Sequence, residues 1–104
     1  MPSPREQVET RRDAIVDFCR QLVQIRTVNP PGENYAALCD YLVRTIRGFD
    51  CDVEIVTVPA ARAEELYWWG KDHPRMSVVG RYRNSRGERA GLHLSGHYDT
   101  VPAG

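Results

Sequence analysis

The sequence predicts an α/β chain with the order helix, helix, strand, strand, strand. Three observations carry that prediction. Apolar residues recur at helical spacing over residues 6–26 and again over 35–49. The period then changes to two from Cys51 onward. Finally, a stretch rich in glycine and small residues runs from Gly91 to His97 and stops in a loop, as strands do where a backbone or ligand approaches closely.

Residues 1–5 carry two prolines and no periodicity and read as a disordered lead-in. From Glu6 to Arg26, Val8, Ile15, Phe18, Cys19, Leu22, Val23 and Ile25 define an amphipathic helix, closed by Asn29-Pro30-Pro31-Gly32. The prolines push Asn29 and Pro30 toward extended backbone. In the second helix Tyr35, Leu38, Cys39, Leu42, Val43, Ile46 and Phe49 share a face, with Asp40, Arg44 and Arg47 opposite. Asn34 stands at the N-cap position and Gly48 where the helix ends. Cys19 and Cys39 fall in apolar stripes and read as core thiols.

Cys51 to Val58 alternates Asp52 and Glu54 with Val53 and Ile55, a strand with one wet face that Pro59 ends. Residues 60–75 are ambiguous, since Ala60 to Leu66 could form a short helix. Met76 to Arg83 reads as a second strand, 84–88 as a turn and Gly91 to His97 as a third strand. The Trp68-Trp69 pair reads as packing over the sheet edge rather than as a substrate platform.

Composition narrows the function. The chain has 104 residues, 14 Lys+Arg against 14 Asp+Glu and a formal net charge of +0. That balance gives no overall electrostatic footprint for nucleic acid or an anionic membrane. No apolar run approaches the ~20 residues that cross a bilayer. The first residues lack a secretory signal region, which points to the cytoplasm. Three cysteines without C-x-x-C spacing form neither a disulfide framework nor a zinc ribbon. Thirteen arginines stand against one lysine, Lys71, the mark of a GC-rich coding sequence. The cluster Arg81, Arg83, Arg86 and Arg89 flanks a turn, where solvated charge is the default.

His97-Tyr98-Asp99 is the one chemically suggestive group. A histidine at a strand end can offer one ring nitrogen to a metal while a carboxylate two residues on holds the other. The pair also recurs by chance, and a lone histidine is more commonly packed or solvated. His93 lies about 13 Å back along the expected strand, too far to share an ion with His97. His73 precedes Pro74 in a loop and reads as a surface residue. There is no H-E-x-x-H, G-x-S-x-G or P-loop spacing.

Two longer stretches bear on the pair. Residues 22–33 read Leu-Val-Gln-Ile-Arg-Thr-Val-Asn-Pro-Pro-Gly-Glu, and residues 92–104 read Leu-His-Leu-Ser-Gly-His-Tyr-Asp-Thr-Val-Pro-Ala-Gly. In that order and roughly 70 residues apart, they resemble the start of the M20 family of metallopeptidases and amidohydrolases, the deacetylase and desuccinylase group above all. The first is similar to that family's Asn-Pro-Pro-Gly loop and the second to its Gly-His-x-Asp-x-Val-Pro motif. Met76 to Tyr82 resembles the strand between them, although Ser77 stands where many members carry Asn.

The resemblance implies a three-layer α/β/α sandwich of the zinc-exopeptidase type. Both helices would pack on the sheet, with the third strand central and His97 at its tip. Residues 1–104 would be the N-terminal part of the catalytic domain. The rest of that domain and the dimerisation or lid domain would lie further along the chain. His97 would be a metal ligand and Asp99 the catalytic-site carboxylate that orients it. The cofactor would be a pair of zinc ions, with cobalt as an alternative. The substrate would be a small N-acyl amino acid or peptide, and the complete enzyme a homodimer. On that resemblance the remaining ligands and the Glu-Glu pair of the family would fall beyond Gly104. The fragment alone is therefore expected to be inactive and to hold no stoichiometric zinc, since zinc sites use three or four protein ligands. The alternatives are a non-catalytic binding module and a homologue whose metal site has decayed.

Overall fold

In a computed structural model, which describes residues 1–68, 72–82 and 91–104, the chain is a mixed helix and strand fold. Its elements are α1 (Pro4–Thr10), α2 (Arg12–Gln24), α3 (Tyr35–Arg47), β1 (Asp52–Thr57), α4 (Ala60–Leu66) and β2 (Met76–Arg81). The expected turn at 84–88, Arg83, Arg86, Arg89 and Trp69 lie outside the described residues.

The lead-in is shorter than the sequence reading placed it, because Ser3-Pro4-Arg5-Glu6 starts a helix. The Ser3 backbone N–H donates to Glu6 Oε2 at 2.6 Å and the Glu6 N–H donates to Ser3 Oγ at 3.3 Å. That capping box, with Pro4 in the first turn, satisfies donors a helix start would otherwise leave orphaned. The helix expected over 6–26 is broken at Arg11 (φ −105°, ψ 5°) into α1 and α2. Neither piece buries a residue. Cys19, expected in the core, is exposed. Phe18 is half-buried and stacks on Tyr41 of α3 with ring centroids 5.8 Å apart, so the chief apolar contact of α2 is with a helix and not with the sheet.

The core belongs to α3. Tyr35, Leu38, Cys39 and Val43 are buried, spaced so that one helical face meets both strands. Asn34 holds the N-cap position, but with φ +57° it does not cap the helix, and its Nδ2 donates to the Arg26 carbonyl at 2.8 Å. Side-chain capping needs an extended backbone at that position. Gly48 follows the last helical residue with φ −64°, and Asp50 takes the left-handed turn at φ +56°.

β1 and β2 pair antiparallel from Asp52↔Arg81 to Thr57↔Met76. An exposed Glu54–Arg81 pair at 2.7 Å lies across them. A Cβ on Gly80 would lie 2.9 Å from Ile46 Cγ2, so the missing side chain is what lets α3 settle onto β2. The short helix α4 forms as composition suggested and buries Ala63.

The third strand does not form among the described residues. Residues 91–97 pair with neither β1 nor β2, and Leu92 and Leu94 are 76% and 85% exposed. A strand exists only by pairing, and alternating apolar residues direct pairing only where a neighbouring edge is at hand. His97 consequently follows irregular chain and does not tip a central strand. Trp68, expected to cover the sheet edge, is 88% exposed, and His73, expected at the surface, is half-buried. No helix among the described residues is long and apolar enough to cross a membrane.

Candidate functional site

The two segments that carry the sequence motifs meet. The Thr100 N–H donates to the Thr27 carbonyl at 2.9 Å and the Asn29 N–H donates to the Thr100 carbonyl at 2.8 Å, which makes a one-residue parallel bridge of Val28 and Thr100. Thr27, only 2% exposed, donates its hydroxyl to the Tyr98 carbonyl at 2.8 Å. The loop after α2 is in turn closed on itself, with the N–H groups of Gly32 and Glu33 both donating to the Val28 carbonyl.

Tyr98 anchors the second segment to the core. Its ring meets Tyr35 edge-on with centroids 4.9 Å apart, and its hydroxyl donates to the Met76 carbonyl and lies 3.7 Å from Cys39 Sγ. Burial, with the hydrogen bond to Cys39 second, pushes the Tyr98 hydroxyl far above its ordinary range, so it stays a neutral donor. The residue between His97 and Asp99 is thus the one driven inward, and the His97 and Asp99 side chains lie more open beside it.

His97 and Asp99 touch. His97 Nδ1 lies 3.0 Å from Asp99 Oδ1 and 3.1 Å from the Asp99 carbonyl oxygen. The imidazole is 85% exposed and the carboxylate 36%. The other carboxylate oxygen, Oδ2, accepts from Asn29 Nδ2 at 3.2 Å. That bond is the largest influence and, with the contact to His97, holds the Asp99 carboxyl below its usual range against the opposing effect of burial, which is second in size.

Arg75 completes the group. Its Nη2 donates to Asn29 Oδ1 at 3.3 Å and to the Pro31 carbonyl at 2.8 Å. The guanidinium lies 5.3 Å from the centroid of the Tyr35 ring and 5.0 Å from that of Tyr67, both within cation–π range. Arg75, Asn29, Tyr35 and Tyr67 line an open cleft of about 460 Å³ together with His97 and Asp99. Burial raises the Tyr35 hydroxyl, the Asp99 charge adds to that, and Arg75 opposes it.

Of the described residues singled out in the sequence, the structure brings His97 and Asp99 together and leaves His73, His93 and Arg81 outside the cleft lining. Arg75 and Tyr35 carried no signal of a site. Asn29 stood out as part of the helix-breaking Asn-Pro-Pro-Gly loop, with no role of its own. As a metal centre the donor set is partial. His97 Nε2 is the ring nitrogen not engaged by Asp99, which suits one ligand of an ion. No group of three His, Cys, Asp or Glu side chains able to hold a metal occurs among the described residues. The chain thus fits one ligand with its supporting carboxylate. Chemically, the cleft can offer a nitrogen lone pair backed by a carboxylate. No family model, curated protein or solved structure matches the chain.

Proposed function

We propose that this chain is the N-terminal part of the catalytic domain of a two-zinc amide hydrolase of the M20 type, acting on N-acyl amino acids or peptides. In that reading His97 is one metal ligand and Asp99 the carboxylate that orients it. The observation that carries the proposal is the union of the two motifs: Asn29 of Asn-Pro-Pro-Gly donates to Asp99 of His-x-Asp at 3.2 Å across 70 residues of chain. Two stretches that together resemble the start of one family here line one cleft. Divalent ions, when bound, supply the Lewis acidity that polarises the amide carbonyl and acidifies the attacking water. The part this chain plays is to hold the His97 ring with Nδ1 against Asp99 and Nε2 outward.

The packing of α3 across both strands supports a layered α/β arrangement, and the exposed Leu92 and Leu94 suit a segment that pairs with further strands of a larger sandwich. A homodimeric, cytoplasmic enzyme is part of the same proposal.

The test is made on the protein expressed from its complete coding sequence. Its zinc content is measured by elemental analysis and its hydrolysis of N-acetyl and N-succinyl amino acids is followed. The expected result is metal-dependent release of the free amine, with Asp99→Asn lowering metal affinity or activity roughly 10–100-fold, as for other groups that support a metal-bound imidazole. Full activity after exhaustive chelation, or an H97A variant that keeps the wild-type zinc content, would sink the proposal.

A further inference from the structure

Four polar side chains from separate parts of the sequence form one directed hydrogen-bond chain. Arg75 donates to Asn29 Oδ1, Asn29 Nδ2 donates to Asp99 Oδ2, and Asp99 Oδ1 faces His97 Nδ1. A guanidinium can only donate and an ionised carboxylate can only accept. An amide held between them therefore has one satisfying orientation, oxygen toward Arg75 and nitrogen toward Asp99. The reverse would oppose donor to donor and acceptor to acceptor.

At the far end both the Asp99 side-chain oxygen and its backbone carbonyl face the same ring nitrogen, at 3.0 and 3.1 Å. Two acceptors on Nδ1 require that it carry the proton of the neutral ring, which leaves the lone pair on Nε2. With Oδ2 taken by Asn29, the carboxylate cannot rotate away without giving up that bond.

Arg75 is itself confined. Tyr35 and Tyr67 lie within cation–π range of it, and its Nη1 is buried with no hydrogen-bond partner among the described residues. Gly32, at φ +103°, lets the guanidinium close on the loop, because a Cβ there would collide with Nη1. The arginine is held by what Nη2 and the ring faces gain.

We propose that Arg75 and Asn29 are positioning residues for His97: they fix the Asp99 carboxylate so that the neutral imidazole is held as the Nδ1–H tautomer with Nε2 free. Use of that lone pair by a metal rests on the function proposed above. The tautomer does not.

The experiment uses the metal-free, ¹⁵N-labelled 104-residue chain at a pH of about 8, above the ordinary imidazole range. Long-range ¹H–¹⁵N correlation spectra separate the two tautomers, and the loss of one ring's signals in His97→Gln assigns the residue. In the wild type the Nδ1–H form is expected to account for nearly all of the neutral His97. Asn29→Asp keeps an acceptor for Arg75 but turns the donor facing Asp99 into an acceptor. It is expected to lose that dominance and move to the mixture of a free imidazole, while backbone amide shifts away from the cleft stay in place. Arg75→Met, which frees the amide to turn, is expected to move the same way and carries the test where Asn29→Asp does not fold. A wild type dominated by Nε2–H, or a folded variant with the wild-type tautomer, overturns the assignment. Absence of hydrolase activity in the complete protein would leave these spectra unchanged and would count against the preceding proposal alone.

Discussion

Thr27→Val tests whether the meeting of the two motif segments depends on one buried hydroxyl. Thr27 is 2% exposed, and its Oγ1 donates to the Tyr98 carbonyl at 2.8 Å. Valine has nearly the same shape and cannot donate, so the change removes the bond and leaves a part-buried carbonyl without its partner. A typical internal hydrogen bond contributes about 0.5–1.5 kcal/mol net, and an orphaned buried acceptor costs about 1–3 kcal/mol. Because Tyr98 is only half-buried, a loss of about 1–2 kcal/mol follows. For a chain of this size that corresponds to a Tm lowered by roughly 4–16 °C. Urea unfolding followed by far-ultraviolet circular dichroism reads the global effect. Amide exchange at Asn29 and Thr100, whose N–H groups close the bridge, reads the local one and is expected to quicken roughly 5–30-fold. Thr27→Ser separates the causes: it loses a methyl group, worth about 1 kcal/mol, but keeps the donor, so the two amides stay protected. Wild-type exchange at both amides in Thr27→Val would refute the reasoning, whatever the urea midpoint.

Three other outcomes follow from the same geometry. Gly32→Ala forces a side chain onto a backbone at φ +103° and into Arg75, and is expected to cost at least about 1–2 kcal/mol in urea unfolding. The Asp99 carboxyl titrates below its ordinary 3.8, so its contribution to stability is present above pH ~4 and is lost as the pH falls through the depressed native value. Asn29→Ala is expected to raise that midpoint in a carboxyl ¹³C titration, and an unmoved midpoint would contradict the assignment of Asn29 as the leading cause. Finally, a thiol reagent is expected to label the exposed Cys19 in the native protein and to reach buried Cys39, whose thiol burial pushes upward, only on unfolding. Equal rates at both would place the core elsewhere.

Burial followed the sequence pattern where the pattern found a partner. Leu38, Cys39 and Val43 lie on one face of α3 because helical spacing put them there, and two strands were available to cover them. Val8, Ile15 and Val16 have the same spacing but no such cover, and remain 46–58% exposed. Periodicity states which face could be buried and says nothing of what would bury it. Gly91 to His97 fails as a strand for the same reason. The capping box at Ser3 is local, but it sits between two prolines and has no apolar periodicity to mark it, although Pro4 stands where a helix start accepts one.

Within the site, the His97–Asp99 contact was legible because the two residues are neighbours in sequence and need only a turn to meet. Arg75 was not, because nothing in a single arginine before a strand marks it among thirteen. Its contact with Asn29 spans 46 residues and exists only once the loop after α2 lies against the start of β2.

By itself, then, the sequence determined α3, the stretches that become β1 and β2, and a histidine with a carboxylate beside it, since each depends on residues within a turn or two of one another. Only the tertiary structure decided which apolar faces were covered. It alone made the Asn-Pro-Pro-Gly loop the neighbour of Asp99 and brought Arg75, far from either motif in sequence, against the intervening amide. Those outcomes turn on long-range contacts, and no local spacing encodes which surfaces the folded chain brings together.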